Sequence, residues 1–295
     1  MNISYPIGYL MQSWYAESMK TLNLVCHPSW MASELKLAEG FFVNHSFGLD
    51  ALRLAGEALW SPQQYASDLF RAYALSGMDL PILLAPGPNW LTTAPSSFLG
   101  REVASILLSE VRAEPTSHSS GWWKAAEAKI DFFPNSYRTS EGMLDQLELL
   151  PGDTRLQFTS TSLDIKKEYR FWVTDSKVTT GSLYLSHEDG ATYYDGASDT
   201  EEEFSKASAF ASNVLAEVNA PSAFTLDIAL LGDGSCVVLE GNPAWCSAWY
   251  GADVTKVAET IYAATTGVTP GNLWAWSPDA YHVHKSNRKR VLQLV

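Results

Sequence analysis

Residues 224–245 read FTLDIALLGDGSCVVLEGNPAW. Two apolar runs flank Gly232-Asp233-Gly234, the composition of a tight turn between antiparallel strands. A two-residue turn at Asp233-Gly234 pairs Gly232 with Ser235 and, counted outward, sets Asp227 opposite Glu240. Asn242 lies two residues beyond Glu240, so its side chain shares that face. Two carboxylates and an amide thus converge on a sheet whose other positions are Leu, Ile, Val and Ala. Burying such groups without partners is costly. A hard divalent cation bridging to phosphates satisfies them. So does water at exposed strand ends, and the hairpin alone does not choose between the two.

Working toward the N-terminus, Glu168-Tyr169-Arg170 begins another apolar run. At strand spacing Glu168 and Arg170 share one face. The planar fork of Arg170 suits phosphate or carboxylate; a solvated cross-strand salt bridge is the plainer use. The stretch 156–163, LQFTSTSL, reads as extended chain. Earlier still, Lys124 and Lys129 stand among Trp122, Trp123, Phe132 and Phe133. Lysines on such a surface need an anion or an exit to water.

Taken in order, the two lysines, the 156–163 stretch, E-Y-R and Asp…Glu-x-Asn resemble the ATP-grasp superfamily over about residues 90–251. The likeness is to a branch with a Lys-x4-Lys motif. Ala125 stands where that branch has proline, and Pro134-Asn135-Ser136 stands where a glycine-rich phosphate loop is expected. The resemblance implies an α/β (α+β) ATP-grasp fold: an N-terminal α/β lobe over 1–95, a small central subdomain over 96–158, and a C-terminal subdomain over 159–295 with the metal site. It implies that Lys124 and Lys129 contact the phosphates of ATP. It sets the adenine against the inter-lobe hinge at Phe158, Thr159, Ser160, Thr161 and Leu163, with Glu168 also on the nucleotide. Arg170 and Lys129 would serve catalysis, and Asp227, Glu240 and Asn242 would hold Mg2+. The implied reaction is ADP-forming ligation of a small-molecule or peptide carboxylate to an amine through an acylphosphate. A kinase on the same scaffold and a nucleotide-binding module without catalysis are the alternatives.

The bulk composition is compatible. The chain has 295 residues, 46% hydrophobic and 18% charged, enough for two or three packed subdomains with a sizeable core. A net charge of -13 disfavours nucleic acid as a general partner. The basic cluster Lys285, Arg288, Lys289, Arg290 reads as a solvated tail. Three cysteines without a C-x-x-C pair argue against a disulfide framework or a zinc site and fit a reducing cytoplasm. Cys26 and Cys236 read as core residues and Cys246 as a neighbour of the pocket. The first 20 residues lack the basic and apolar regions of a signal peptide, and no stretch is long and apolar enough to span a bilayer. His282 and His284 read as exposed. G-x-S-x-G and G-x-x-x-x-G-K-[ST] are absent, which excludes the common serine-hydrolase and P-loop patterns. Oligomeric state leaves little trace, and a homodimer is compatible with the chain.

Periodicity predicts helices over 8–20, 32–39, 62–76, 99–111, 140–149, 199–218 and 255–265. It predicts strands over 22–26, 41–45, 80–84, 156–163, 168–173, 178–185, 224–230 and 236–240, with a strand–turn–strand over 122–133. Residues 273–276 read as an aromatic cap.

Overall fold

The structure is a computed structural model and describes residues 19–25, 28–46, 57–77, 79, 81–118, 120–126, 130, 133, 136–148, 150–187, 199–278 and 282–283. Nearly all of the helix expected over 8–20, together with Cys26, Lys129, His284 and the basic cluster at 285–290, lies outside the described residues.

The described chain runs β1 (Lys20–Val25), α1 (Ser29–Leu35), β2 (Phe41–Ser46), β3 (Ala58–Trp60), α2 (Gln63–Ser76), α3 (Trp90–Thr93), α4 (Ser96–Leu99), β4 (Ala104–Leu107), α5 (Leu108–Ala113), β5 (Gly121–Ala125), β6 (Ser136–Arg138) and α6 (Ser140–Leu147). It continues through β7 (Arg155–Thr159), β8 (Ile165–Thr174), β9 (Lys177–Ser186), α7 (Glu201–Glu217), β10 (Ala223–Leu231), β11 (Cys236–Asn242) and α8 (Val254–Thr265). Three sheets result. A parallel sheet has the order β2-β1-β3, and two antiparallel sheets have the orders β4-β7-β5-β6 and β11-β10-β8-β9.

Three apolar clusters follow these sheets. The first joins Leu22, Leu24 and Leu59 to Trp172, Trp245, Trp249, Ile261 and Trp276, so the N-terminal sheet shares its core with α8 and the chain around it. The second lies between α7 and β8–β11, around Tyr169, Phe171, Val214 and Phe224. The third gathers Trp123, Met143, Leu147 and Leu156 under the central sheet. Each fully buried aromatic of this kind contributes roughly 1.5–3 kcal/mol through the water it sheds.

Local chemistry explains most boundaries. Thr139, one residue before the predicted cap Ser140, accepts from the Gly142 N–H and starts α6; Thr200 and Asp253 cap α7 and α8 the same way. Five expectations are corrected. Residues 99–111 are not one helix: β4 occupies 104–107, because that stretch completes the central sheet by pairing with β7, and helix resumes only at Leu108. The helix expected over 32–39 runs instead from Ser29 to Leu35, directly after Pro28. Residues 81–84 form no strand beyond a single bridge from Leu84 to Ala275. His282 is buried, with 5% of its surface exposed. Cys236 is half-buried rather than a full core residue.

The deciding hairpin also differs in detail. Leu231 N–H donates to the Ser235 carbonyl, so the loop is three residues, Gly232 to Gly234, with Gly234 at φ +82°. A three-residue loop needs such a left-handed residue at its end, which glycine supplies. The register therefore starts one residue off the two-residue count, with Leu230 opposite Cys236. A bulge between Asp227 and Ile228 on this ladder then skips Leu239, and Asp227 lies opposite Glu240 after all.

Candidate active site

A cavity of about 430 Å3 opens between the central sheet and the third sheet. From the central sheet it is lined by Trp122, Lys124, Gln157, Phe158 and Thr159; from the third by Ile165, Glu168 and Leu239. Thr161, Leu163 and Asp164, on the link between the sheets, close one side. This size suits a ligand such as a nucleotide. Of the residues assigned to the nucleotide from sequence, Lys124, Phe158, Thr159, Thr161, Leu163 and Glu168 line the cavity. Ser160 is exposed and is not among the lining residues. An indole and an amide on the wall lack partners among the described residues: Trp122 Nε1–H, a donor, and Gln157 Oε1, an acceptor. The Gln157 amide is oriented by its Nε2, which donates to the Pro88 carbonyl at 3.3 Å.

At the cavity's edge the three oxygen-bearing side chains are drawn together. Asn242 Nδ2 donates to Asp227 Oδ2 at 3.1 Å and to Glu240 Oε1 at 2.9 Å. Asn242 Oδ1 has no partner among the described residues. Lys124 Nζ donates to Glu240 Oε2. Arg170 faces Asp227 across the β8–β10 ladder and holds it by a two-bond fork, Nε to Oδ1 at 2.8 Å and Nη2 to Oδ2 at 2.7 Å. One charged chain thus runs Lys124–Glu240–Asn242–Asp227–Arg170. Among the described residues no three His, Cys, Asp or Glu side chains form a metal cluster. The set here is two acids and an amide, all oxygen donors, and so fits a hard cation.

The electrostatics follow from burial and neighbours. Asp227 is fully buried, and burial pushes its carboxyl up, with Glu240 and Glu168 pushing the same way against Arg170. Burial acts to lower the Arg170 pKa, but Asp227 outweighs it and holds the guanidinium above its ordinary value, so the pair stays ionised. Burial likewise acts to raise Glu240, and Lys124 and Asn242 outweigh it, leaving that carboxyl below its ordinary value. The guanidinium of Arg170 also lies 5.3 Å from the ring of Tyr184 and 5.7 Å from that of Tyr250, which stack on each other. The Tyr184 hydroxyl donates to Glu168, and burial raises its pKa well above the usual value. His187 meets the other Glu168 oxygen at 3.2 Å.

Sequence reasoning missed Arg101. Its guanidinium lines the cavity and donates to the carbonyls of Leu99 and Val238 at 2.9 Å and of Leu239 at 3.2 Å. Burial pushes its pKa down to about 10, while Glu240 pulls it back. No carboxylate pairs with it directly among the described residues. Nothing but an arginine just before a short strand marks it in the sequence. Gln157, read only as part of a hinge strand, was missed as well.

Two antiparallel sheets facing each other across a cavity, after a small parallel α/β sheet, define an ATP-grasp fold. The chain belongs to an ATP-grasp domain family, the second family of its clade, whose pattern matches residues 98–260, more than half of its length. No curated protein matches the sequence. Among solved structures, N5-carboxyaminoimidazole synthetase from Staphylococcus aureus in complex with ADP is similar, with a TM-score of 0.51 at 14% identity over 86% of this chain and 80% of the other. D-alanine–D-alanine ligase from Bacillus anthracis gives a TM-score of 0.46 at 9% identity, covering 83% and 97% of the two chains. The fold assignment rests on the family match and the first of these structures.

Proposed function

We propose that this protein is an ATP- and Mg2+-dependent ligase that joins a carboxylate to an amine, or a similar nucleophile, through an acylphosphate. The observation that carries the reading is the charged chain from Lys124 to Arg170 at the rim of a nucleotide-sized cavity. The nucleotide assigned to the cavity is ATP; ADP is the one named with the staphylococcal synthetase. In this reading the purine lies along Phe158 to Leu163, Gln157 Oε1 accepts from its exocyclic amine, and Glu168 receives the ribose hydroxyls. Lys124, Arg101 and Lys129 supply positive charge to the phosphates. Asp227, Glu240 and Asn242 hold Mg2+, which would neutralise charge on the phosphate oxygens when bound.

The chemistry balances in two steps. A substrate carboxylate oxygen bonds to the γ-phosphorus as the bond to the β–γ bridging oxygen breaks, and that electron pair leaves with ADP. The amine lone pair then attacks the acyl carbon, phosphate departs with the former acyl–oxygen bond pair, and the amine proton passes to phosphate or solvent. Arg170 keeps Asp227 ionised and oriented, and is assigned to catalysis through that contact. Exclusion of water between the sheets protects the acylphosphate from hydrolysis. The three-part division at 1–95, 96–158 and 159–295 belongs to the same proposal, as does a cytoplasmic location where ATP is plentiful. Among the described residues no helix is long and apolar enough to cross a membrane.

The test is ADP release from ATP and Mg2+ across a panel of small carboxylates, each with and without amines. Amine-dependent amide product supports the ligase. A phosphorylated product that persists with amine present would make the protein a kinase, and ATP binding without turnover across the panel would make it a binding module.

A further inference from the structure

Beside Asn242, on the side away from most of the nucleotide cavity's lining, lies a second, small hollow of about 30 Å3. Its walls include Gln63, Ala126, Gln157, Asn242, Pro243 and Trp276. That volume admits two or so oxygen-sized groups and no more. Two features of its wall are donors with nothing to donate to. The first is the start of α2, a 14-residue helix whose N-cap is Pro62 and which no side chain caps. The Gln63 N–H has no acceptor among the described residues. A helix start of this kind carries partial positive charge and open N–H groups. The second is Trp276. It is buried, with 7% of its surface exposed, yet its Nε1–H has no partner among the described residues. The ring is fixed between Phe70 and Trp245, with centroids at 5.1 and 4.9 Å, so the N–H is held rather than free to turn away. A buried indole N–H ordinarily finds an acceptor.

We infer that this hollow receives the acceptor's carboxylate, with the Gln63 N–H and Trp276 Nε1–H as its donors and Asn242 as the neighbour that ties it to the phosphate side. The inference deepens the ligase reading and rests on it. A carboxylate supplies two acceptor oxygens of the right size and a charge that the helix start favours. A neutral amide supplies one acceptor and brings an N–H toward donors. The one unpartnered side-chain acceptor on the wall, Gln157 Oε1, is shared with the nucleotide cavity, where the purine amine takes it up. Trp276 lies beyond the family match at 98–260, and Gln63 before it, so the anchoring donors come from parts of the chain that the shared domain does not include.

The experiment is a titration of the 15N-labelled full-length protein with sodium acetate and, separately, acetamide, in the presence of Mg2+ and a non-hydrolysable ATP analogue. The Trp276 indole N–H resonance, assigned by its loss in Trp276→Phe, is expected to shift with acetate and to stay in place with acetamide. Trp276→Phe, checked for its fold by the rest of the spectrum, is expected to weaken acetate binding about tenfold or more, the size of one hydrogen bond to a charged group. An unmoved indole resonance in the wild-type protein, or equal shifts with acetamide, would overturn the inference. The same sample separates the two readings: loss of analogue binding strikes the ligase proposal, whereas analogue binding without an acetate response strikes only the carboxylate hollow.

Discussion

Arg170 and Asp227 meet through two parallel hydrogen bonds of 2.8 and 2.7 Å in the middle of the third sheet, with 5% and 0% of their surfaces exposed. Both oxygens of the buried acid are taken by the guanidinium, and one by Asn242 as well. A cation at Asp227 must therefore share these oxygens with the fork or displace part of it.

Removing one partner of a buried pair leaves a bare charge. Arg170→Ala is predicted to destabilise the protein by about 3–5 kcal/mol. Arg170→Lys keeps the charge but loses the fork and is predicted to recover only part of that loss. Urea unfolding of the three proteins measures this, and an unchanged midpoint for the alanine variant would refute it.

Lys124 reaches from the central sheet to Glu240 in the third and lines the cavity between them. We predict that Lys124→Ala weakens ATP binding about tenfold or more, through one lost charge-assisted contact. Calorimetric titration with Mg2+ and ATP reads the effect, and equal affinities would remove Lys124 from the phosphate site.

The acid limb of stability carries a sign that can be checked. Burial raises Glu240, but Lys124 and Asn242 win and hold its pKa below the ordinary 4.5. A carboxyl depressed in this way contributes stability that is complete above its unfolded value and is lost as pH falls through the folded one. Asp227 is shifted the other way, raised above 3.8 chiefly by burial, so acidification relieves its share of the cost. Melting temperatures are thus predicted to show no Glu240-dependent change in slope from neutrality down to about pH 4.5. Below that, the wild type should fall more steeply than Glu240→Gln. Parallel curves throughout would contradict the shift.

Gly121 begins β5 where the chain crosses Phe158. A methyl group there would run into the Phe158 ring and the Thr159 carbonyl. Gly121→Ala is predicted to destabilise by about 1–3 kcal/mol and to weaken nucleotide binding by moving Phe158 from the cavity wall. A variant with wild-type stability and wild-type ATP affinity would show that the strand gives way without consequence.

The third sheet is legible in the sequence because its strands alternate or run apolar for many residues and are punctuated by Gly and Asp. The pairing of Asp227 with Glu240 is legible too, although by two departures that cancel: a turn longer by one residue and a bulge at Leu239. The central sheet is less so. Residues 99–111 place Val103, Ile106, Leu107 and Val111 at helical spacing, and only the distant partner β7 makes 104–107 a strand. Arg101 and Trp276 carry no motif. Their importance comes from what the fold leaves beside them, two bulge-side carbonyls for one and a polar hollow for the other, and neither neighbour is near in sequence.

Because the N-terminal sheet and the chain around α8 bury one common cluster, the heritable segment and the cohesive body have different borders. Residues 98–260 suffice for kinship, but a fragment trimmed to them would cut α8 before its last turn and strip Trp172, Trp245 and Trp249 of their cover. Any minimal version made for laboratory use would have to keep both flanks, or replace them with an artificial apolar lid.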